Sequence, residues 1–208
     1  MPNALSRTRL IVFVRAPRPG FVKTRLAAAL GVDAACAAYR ELVDHLLPKL
    51  ELPTLKVELR FTPDDAADEL APWLRPGWQL RPQGEGDLGA RLERAVADSV
   101  AAGFSRCLII GTDCPYLTST DLNEAEAALD THQVVLGPAV DGGYWLIGLC
   151  ASSEGLFRDI PWSTGEVLAT TLKAAQVAGL KVHLLRTLED IDTAADWARY
   201  QQGRQIQP

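Results

Sequence analysis

The chain has 208 residues, of which 48% are hydrophobic and 23% charged, and these proportions are typical of a soluble globular domain with one core. Its 26 acidic and 21 basic residues give a net charge of −5, which disfavours non-specific binding to nucleic acid. The first apolar run spans only residues 10–14, so it predicts neither a signal peptide nor a membrane span. We therefore expect residues 1–208 to form a single cytoplasmic domain.

The first half of the chain alternates predicted strands with predicted helices. Residues 10–14 are a continuous apolar run that ends at prolines, which is typical of a buried parallel strand. Helical patterns follow over residues 22–30 and 33–47, and alternating apolar residues over 55–61 predict a second strand. The sequence Thr62-Pro63-Asp64-Asp65 is typical of a helix start, which would make the two aspartates capping residues.

The second half continues this alternation. The predicted elements are a strand at 78–80, a helix at 88–102, a strand at 107–110, a helix at 119–129, strands at 133–136 and 144–149, a helix that opens with a capping box at 163–166 and ends at Gly179, a strand at 182–185 and a helix at 193–202. We therefore expect an α/β fold, in which one domain has a doubly wound, mostly parallel but mixed sheet with helices on both faces.

The loop after the first predicted strand is a candidate anion site. The first 25 residues contain six basic side chains and no acidic one, and Arg15, Lys23 and Arg25 lie in this loop and the helix start that follows. Free backbone N–H groups at a helix N-terminus and basic side chains both favour phosphate. Pro17 and Val22 stand where a Walker A loop needs glycine, which argues against a P-loop NTPase. A solvated basic loop remains the alternative.

A glycine-rich segment at residues 84–89 formally matches G-x-G-x-x-G. It lies far behind the first strand, whereas the dinucleotide-binding fingerprint directly follows the first strand of its unit, so we do not assign it to a dinucleotide. Glycines in such a loop let a ligand approach the backbone closely, and a flexible turn is the alternative.

Three aspartates are predicted beside strand ends, where ligands bind in doubly wound sheets. Asp113 and Asp192 could supply the two carboxylates that a phosphate-bound divalent cation takes from protein, although Asp192 or Thr193 could instead cap the last helix. Asp141, followed by two glycines, is a candidate general base, and a turn aspartate that bonds its own backbone is the alternative.

The order of six motifs resembles a known family over almost the whole chain. The motifs are P-x-P-G-x-V-K-T-R-L (17–26), Q-G-x-G-D-L-G-x-R (83–91), G-T-D-x-P-x-L (111–117), L-G-P-A-x-D-G-G-Y (136–144), W-S-T (162–164) and D-I-D-T (190–193). They resemble the glycosyltransferase-like family of domain of unknown function 2064. The resemblance implies the GT-A type fold of nucleotide-diphospho-sugar transferases, a superfamily that also contains small nucleotidyltransferases.

The resemblance also implies a site. Asp113 and Asp192 correspond to ligands of Mg²⁺ or Mn²⁺, and Asp141 is the candidate catalytic residue. Together with the loops described above, the residues expected to bind nucleotide or substrate are Arg15, Lys23, Arg25, Gln83, Gly84, Gly86, Asp87, Gly111, Gly142, Gly143 and Tyr144. One departure concerns the loop after the first strand, where Arg15-Ala16-Pro17 replaces the glycine-rich signature of many nucleotidyltransferases.

We expect a metal-dependent transferase that moves a sugar from a nucleotide sugar to a small acceptor. Its partner is then a small-molecule nucleotide or nucleotide sugar, and no nucleic acid is expected. Two alternatives remain at this point. One is a nucleotidyltransferase that joins a nucleoside triphosphate to a phosphorylated or acidic small molecule and releases pyrophosphate. The other is a noncatalytic nucleotide-binding regulator, which would need no ordered metal pair.

Overall fold

The computed structural model describes residues 8–150 and 155–205, and a seven-stranded sheet runs through them. Its strands are β1 (Thr8–Arg15), β2 (Leu55–Thr62), β3 (Gln79–Pro82), β4 (Arg106–Ile110), β5 (Val134–Pro138), β6 (Tyr144–Cys150) and β7 (Val182–Leu184). Their spatial order is β3-β2-β1-β4-β6-β5-β7. Strand β6 runs antiparallel to β4 and β5, and the other neighbouring pairs are parallel, which confirms the expected mixed α/β sheet.

Helices cover both faces of this sheet. They are α1 (Thr24–Leu30), α2 (Val32–Leu46), α3 (Ala67–Leu70), α4 (Leu88–Ala101), α5 (Ser119–Ala128), α6 (Val167–Val177) and α7 (Ala194–Gln205), with two short 3-10 helices at Leu47–Leu50 and Ala71–Trp73. Helices α2 and α5 pack on one face, α4 and α6 on the other, and α1 and α7 pack against α2. Within the two described ranges, no helix combines the length and the apolar character that crossing a membrane requires.

Strand β1 explains why the first apolar run of the sequence is continuous. Leu10, Val12 and Val14 face the core beneath α2 and α5, whereas Ile11 faces the core beneath α4 and α6. All four side chains are buried. A strand that is covered on both faces needs apolar residues at consecutive positions, so the strand predicted at 10–14 is confirmed and extends to both sides.

Strand β2 alternates in sequence but is buried on both faces, because its polar side chains form ion pairs. Glu58 and Arg60 have 0% and 1% exposure. Arg9 Nη1 lies 2.8 Å from Glu58 Oε2, and Arg60 Nε lies 2.5 Å from Glu58 Oε1. Arg60 also reaches Asp98 on α4, with 2.7 Å between Nη2 and Oδ2. Each charge is therefore neutralised by a partner from another strand or helix, which is what makes its burial tolerable.

The helix start predicted at residues 62–65 is wrong. Helix α3 begins only at Ala67, and its N-cap is Ala66, with no side-chain cap. Asp64 Oδ1 accepts a hydrogen bond of 3.1 Å from the backbone N–H of Gly84. Asp65 pairs with Arg18 of the β1–α1 loop. Both aspartates therefore hold neighbouring loops together at the carboxyl edge of the sheet.

The capping box predicted at residues 163–166 is also wrong. Helix α6 begins at Val167, and the side chain of its N-cap, Glu166, makes no capping hydrogen bond. Thr164 Oγ1 instead accepts from the N–H of Glu166 and donates to the carbonyl of Pro161. This local hydrogen bonding forms a turn ahead of the helix, which is the competing structure that threonine favours outside helices.

Candidate functional site

A cavity of about 650 Å³ opens at the carboxyl ends of β1 and β4. The loops after β1, β3 and β4 and the start of β6 surround it, because β6 is antiparallel and begins at the edge where β4 ends. Ten of the residues predicted for the site line this cavity: Arg15, Lys23, Arg25, Gln83, Gly86, Asp87, Gly111, Asp113, Tyr144 and Asp192. The other four, Gly84, Asp141, Gly142 and Gly143, are not among its lining residues within the described chain.

The two predicted metal ligands lie together, and a buried lysine stands between them. Lys23 Nζ is 2.5 Å from Asp113 Oδ1 and 3.3 Å from Asp192 Oδ1, and the lysine side chain is only 3% exposed. The same ammonium donates to the carbonyl of Ile191 at 2.5 Å. Lys23 was predicted to bind phosphate, but in this structure its charge is directed to the two carboxylates.

Backbone contacts fix this arrangement. Lys23 itself has φ 47° and ψ 48°, a left-handed conformation directly before α1 that is unusual for a residue with a Cβ. The N–H of Ile191 donates to the carbonyl of Asp113 at 2.9 Å, which joins the segment before α7 to the loop after β4. Residues that are far apart in sequence therefore meet at one edge of the sheet.

Asp192 does not cap helix α7 with its side chain, because Thr193 and Asp196 form that cap. Thr193 Oγ1 accepts from the N–H of Asp196, and Asp196 Oδ2 accepts from the N–H of Thr193. This reciprocal pair is the capping box of α7. The Asp192 carboxylate is thereby left for Lys23 and for Arg25, whose Nη1 lies 3.4 Å from Asp192 Oδ2.

These groups fit a hard divalent cation. Two carboxylates face a position that already holds a positive charge, and carboxylate oxygens are the ligands that Mg²⁺ and Mn²⁺ prefer. No group of three or more His, Cys, Asp or Glu side chains with metal-binding geometry occurs in the described ranges. A cation at Asp113 and Asp192 would thus take its other ligands from water and substrate phosphate, as Mg²⁺ commonly does.

Arginine side chains add positive charge to the same cavity. The side chain of Arg25 is 74% exposed, and Arg15 is also exposed. Within the described residues, the Arg15 guanidinium has no ion-pair partner, whereas the backbone N–H of Arg15 donates to Tyr39 Oη at 2.9 Å. Arg15 is therefore available to an anionic ligand in a way that Lys23 is not.

Residues 16–19 of the β1–α1 loop have no backbone N–H left for a ligand. The N–H groups of Ala16 and Arg18 donate to carbonyls of the protein itself. Pro17 and Pro19 have no N–H at all. This part of the loop therefore offers side chains to a phosphate rather than a cradle of backbone amides.

Two arginines of α4 donate hydrogen bonds to backbone carbonyls of the glycine-rich loop. Arg94 donates to the carbonyls of Gln83 and Glu85, and Arg91 donates to the carbonyl of Gly86. At Gly84, with φ +77°, a Cβ would lie 2.6 Å from Arg94 Nη1, so the Arg94 side chain would have to shift. Because these carbonyls point toward α4, Gly86 can present the opposite side of its backbone to the cavity.

Two polar side chains predicted for ligand binding are instead bound within the protein. The Gln83 amide donates to the carbonyls of Val14 and Arg60, and its oxygen accepts from Arg91 at 3.1 Å. Asp87 is the N-cap of α4 and accepts from the N–H of Ala90 at 2.8 Å. Gln83 and Asp87 therefore fix the loop that borders the cavity.

The turn at Asp141 is built for contacts within the protein. Asp141 Oδ1 accepts from the N–H of Gly143 at 2.9 Å, which is the turn alternative. A Cβ on Gly142, whose φ is +89°, would lie 2.2 Å from the carbonyl oxygen of Gly165. The glycine is required there because the turn before β6 touches the turn before α6. Beside Gly111, by contrast, a Cβ would meet open space.

Both aromatic residues that begin β6 line the cavity, and Trp145 also belongs to the core. Trp145 is 4% exposed, packs over Gly137, and donates from Nε1 to the carbonyl of Arg186 at 3.2 Å. Tyr144 lines the cavity and makes an edge-to-face contact with Trp162, at 6.5 Å between ring centroids. Ser163, beside this tryptophan, also lines the cavity and has φ +65°.

Asp190 was not among the predicted site residues. Burial, followed by the negative charges of Asp113, Asp141 and Asp192, raises the pKa of Asp190 to about 7, whereas Lys23 opposes this shift. Because the charges of Asp113 and Asp192 contribute to this raised pKa, Asp190 shares the electrostatic environment of the two predicted metal ligands. The D-I-D-T motif was the signal that could have identified it, because the motif contains Asp190 as well as Asp192.

Solved structures share this fold. A protein from Desulfovibrio desulfuricans G20, provisionally described as a nucleotide-diphospho-sugar transferase, is 30% identical, with a TM-score of 0.90 over 97% of this chain and 89% of its own. The 4-diphosphocytidyl-2C-methyl-D-erythritol synthase from Anaerococcus prevotii DSM 20548 is 10% identical, with a TM-score of 0.65 and coverage of 98% and 99%. Glucosyl-3-phosphoglycerate synthase from Mycobacterium tuberculosis, solved with Mn²⁺ and UDP, is 11% identical, with a TM-score of 0.54 and coverage of 88% and 70%.

The fold class is therefore that of nucleotide-diphospho-sugar transferases and small nucleotidyltransferases. The model of a family of uncharacterised proteins conserved in bacteria, DUF2064, matches residues 47–164, and the chain belongs to this family. No curated protein matches the sequence.

Proposed function

We propose that this protein is a divalent-metal-dependent transferase that moves a sugar from a nucleoside diphosphate to a small acceptor. The carboxylate pair of Asp113 and Asp192 around a positive charge, at the edge of a cavity of about 650 Å³, carries the proposal. This pair provides hard oxygen ligands next to the exposed guanidinium groups of Arg15 and Arg25, so a metal ion and a diphosphate would be bound side by side.

Each of these side chains has a role in the proposed reaction. Asp113 and Asp192 would hold Mg²⁺ or Mn²⁺, which when bound neutralises the charge that develops on the departing nucleoside diphosphate. Arg15 and Arg25 would orient the diphosphate by charge-assisted hydrogen bonds. Gly86 and Gly111 would allow the nucleotide to approach the backbone closely, and Tyr144 would line the cavity at the start of β6.

The sequence of the β1–α1 loop favours sugar transfer over nucleotidyl transfer. Arg15-Ala16-Pro17 replaces the glycine-rich signature of many nucleotidyltransferases. The N–H groups of Ala16 and Arg18 donate within the protein, and the two prolines have none, so residues 16–19 offer no backbone amide to a triphosphate.

Nucleotidyl transfer is the second candidate, and one observation favours it. The chain matches the cytidylyl-type synthase over nearly the full length of both proteins, whereas it covers only 70% of the glucosyl-transferring enzyme. The chain therefore has the size of a small nucleotidyltransferase. The regulator hypothesis receives no comparable support from the relatives described above.

Product analysis separates the two reactions. Thermal unfolding would first be measured with UDP-, GDP- and CDP-sugars and with the parent nucleoside triphosphates, each with and without Mn²⁺. A ligand that binds only the folded state at about 100 times its Kd adds about 2.7 kcal/mol to the free energy of unfolding. The stabilising donor would then be incubated with panels of alcohols, sugar phosphates and acids. Free nucleoside diphosphate as product supports the proposal, whereas pyrophosphate supports the second candidate.

Asp141 remains our candidate for activating the acceptor hydroxyl. Its Oδ1 is bound in the turn, and its negative charge contributes to the raised pKa of Asp190. Asparagine can form the same turn, so Asp141→Asn should preserve both fold and donor binding while turnover is lost. Full turnover of this variant would remove Asp141 from the mechanism.

A further inference from the structure

Lys23 lies where a metal ion held by both carboxylates would lie. Its ammonium contacts Asp113 Oδ1 at 2.5 Å and Asp192 Oδ1 at 3.3 Å, and its side chain is 3% exposed. A divalent cation shared by these oxygens would be closer to the ammonium than two positive charges tolerate. The lysine and the metal therefore cannot occupy the position between Asp113 and Asp192 at the same time.

The phosphates of a bound nucleotide would be an alternative partner for the Lys23 ammonium. Lys23 lines the cavity together with Arg15 and Arg25. An incoming diphosphate would be a strong acceptor for the ammonium. Its flexible four-carbon stem allows the ammonium to turn from the carboxylates to phosphate oxygens without movement of α1.

We infer that Lys23 is an internal counter-ion that competes with the divalent cation for Asp113 and Asp192 and is released by the phosphates of the donor. The inference rests on the proposed function and adds a regulation to that site. The protein without nucleotide then binds metal weakly, because the metal must displace a buried ion pair. A nucleotide diphosphate provides the ammonium with a new partner, and metal and nucleotide therefore bind cooperatively.

The test measures Mn²⁺ binding without nucleotide, from the electron paramagnetic resonance signal of free Mn²⁺. Lys23→Met keeps the length of the side chain and removes its charge, so Mn²⁺ should bind at least about tenfold more tightly than to the unmodified protein. Lys173→Met is the matched control, because it makes the same substitution at an exposed lysine of α6 that does not line the cavity. Its Mn²⁺ affinity should change by no more than about threefold, since solvent and salt screen that charge.

Several results would overturn the inference. These are equal Mn²⁺ affinity for Lys23→Met and the unmodified protein, weaker Mn²⁺ binding by Lys23→Met, an equal gain in both variants, or no Mn²⁺ binding by any of the three proteins. An equal gain would mean a general effect of charge. Lys23→Gln repeats the experiment with a polar side chain, so that the test does not depend on one variant folding, and thermal unfolding without metal checks each fold.

A second arm uses UDP and GDP. The inference predicts opposite effects in Lys23→Met: tighter Mn²⁺ binding without nucleotide and weaker binding of the nucleotide. A merely structural role of Lys23 would weaken both. If the unmodified protein binds no nucleotide at all, the proposed function fails, while the nucleotide-free Mn²⁺ comparison still decides whether lysine and metal compete.

Discussion

Replacing Asp190 with asparagine should stabilise the protein above neutral pH. Burial and the carboxylates of Asp113, Asp141 and Asp192 raise the pKa of Asp190 from 3.8 to about 7. The folded protein therefore binds more protons than the unfolded chain between these two values. As a result, the stability contributed by this group falls as the pH rises through that window, and the loss is complete above it.

The magnitude follows from the size of the shift. At about 1.4 kcal/mol per pKa unit, Asp190 costs the fold about 4 kcal/mol at about pH 8, where it must ionise in the folded protein, and about 2 kcal/mol at about pH 5, where it must take up a proton on folding. Asparagine does not ionise. The gain in the free energy of unfolding of Asp190→Asn should therefore grow by about 2 to 3 kcal/mol between these two pH values.

Urea unfolding in the presence of EDTA measures this difference. Asp68→Asn is the control, because Asp68 is exposed on α3, and the same change there should alter the free energy of unfolding little at either pH. If the curves of Asp190→Asn and the unmodified protein stay parallel from about pH 5 to about pH 8, the electrostatic account of this site is refuted.

Three further predictions concern the metal pair, the ion network and the turn before β6. Asp113→Asn should remove the Mn²⁺-dependent part of ligand stabilisation and leave the fold intact, because it preserves volume but not charge; thermal unfolding with and without Mn²⁺ tests this. Glu58→Gln should lower the free energy of unfolding by about 3 to 5 kcal/mol, since it leaves the buried Arg9 guanidinium without its carboxylate and the buried Arg60 with only Asp98; an unchanged urea midpoint would contradict this. Gly142→Ala should cost at least about 2 kcal/mol, because its Cβ would meet the carbonyl oxygen of Gly165 at 2.2 Å in a left-handed backbone; equal stability in urea would mean that the two turns can separate freely.

The sequence predicts most of the sheet because burial on both faces requires apolar runs at consecutive positions. Residues 10–14 and 107–110 are such runs, and they form the adjacent parallel strands β1 and β4. The pattern does not reveal that Glu58 and Arg60 are buried. Their partners are Arg9 on β1 and Asp98 on α4, and only the assembled fold brings these charges together.

The difference between local sequence pattern and contacts made only in the assembled fold also explains which site residues could be predicted. Asp113 and Asp192 follow the rule that ligands bind beyond strand ends, and the structure brings them together. Gln83 and Gly142 have the residue types of a binding loop, but their partners are distant in sequence. The Gln83 amide bonds to two strands, and Gly142 faces the carbonyl of Gly165. A motif shows that a position is constrained, but it does not show whether a ligand or the protein itself imposes the constraint.

The carboxylate pair depends on the segment that precedes the last helix. Asp192 reaches Asp113 because the N–H of Ile191 donates to the carbonyl of Asp113, and the next residue, Thr193, begins the capping box of α7. Helix α7 in turn packs against α1 and α2, at the end of the loop that carries Lys23. Lys23 and Asp192 are thereby anchored to one cluster of helices, and Asp113 is joined to it through Ile191. A loosening of α7 would separate Asp192 from both Lys23 and Asp113, so the packing of this terminal helix sets the geometry that a metal and a diphosphate would meet.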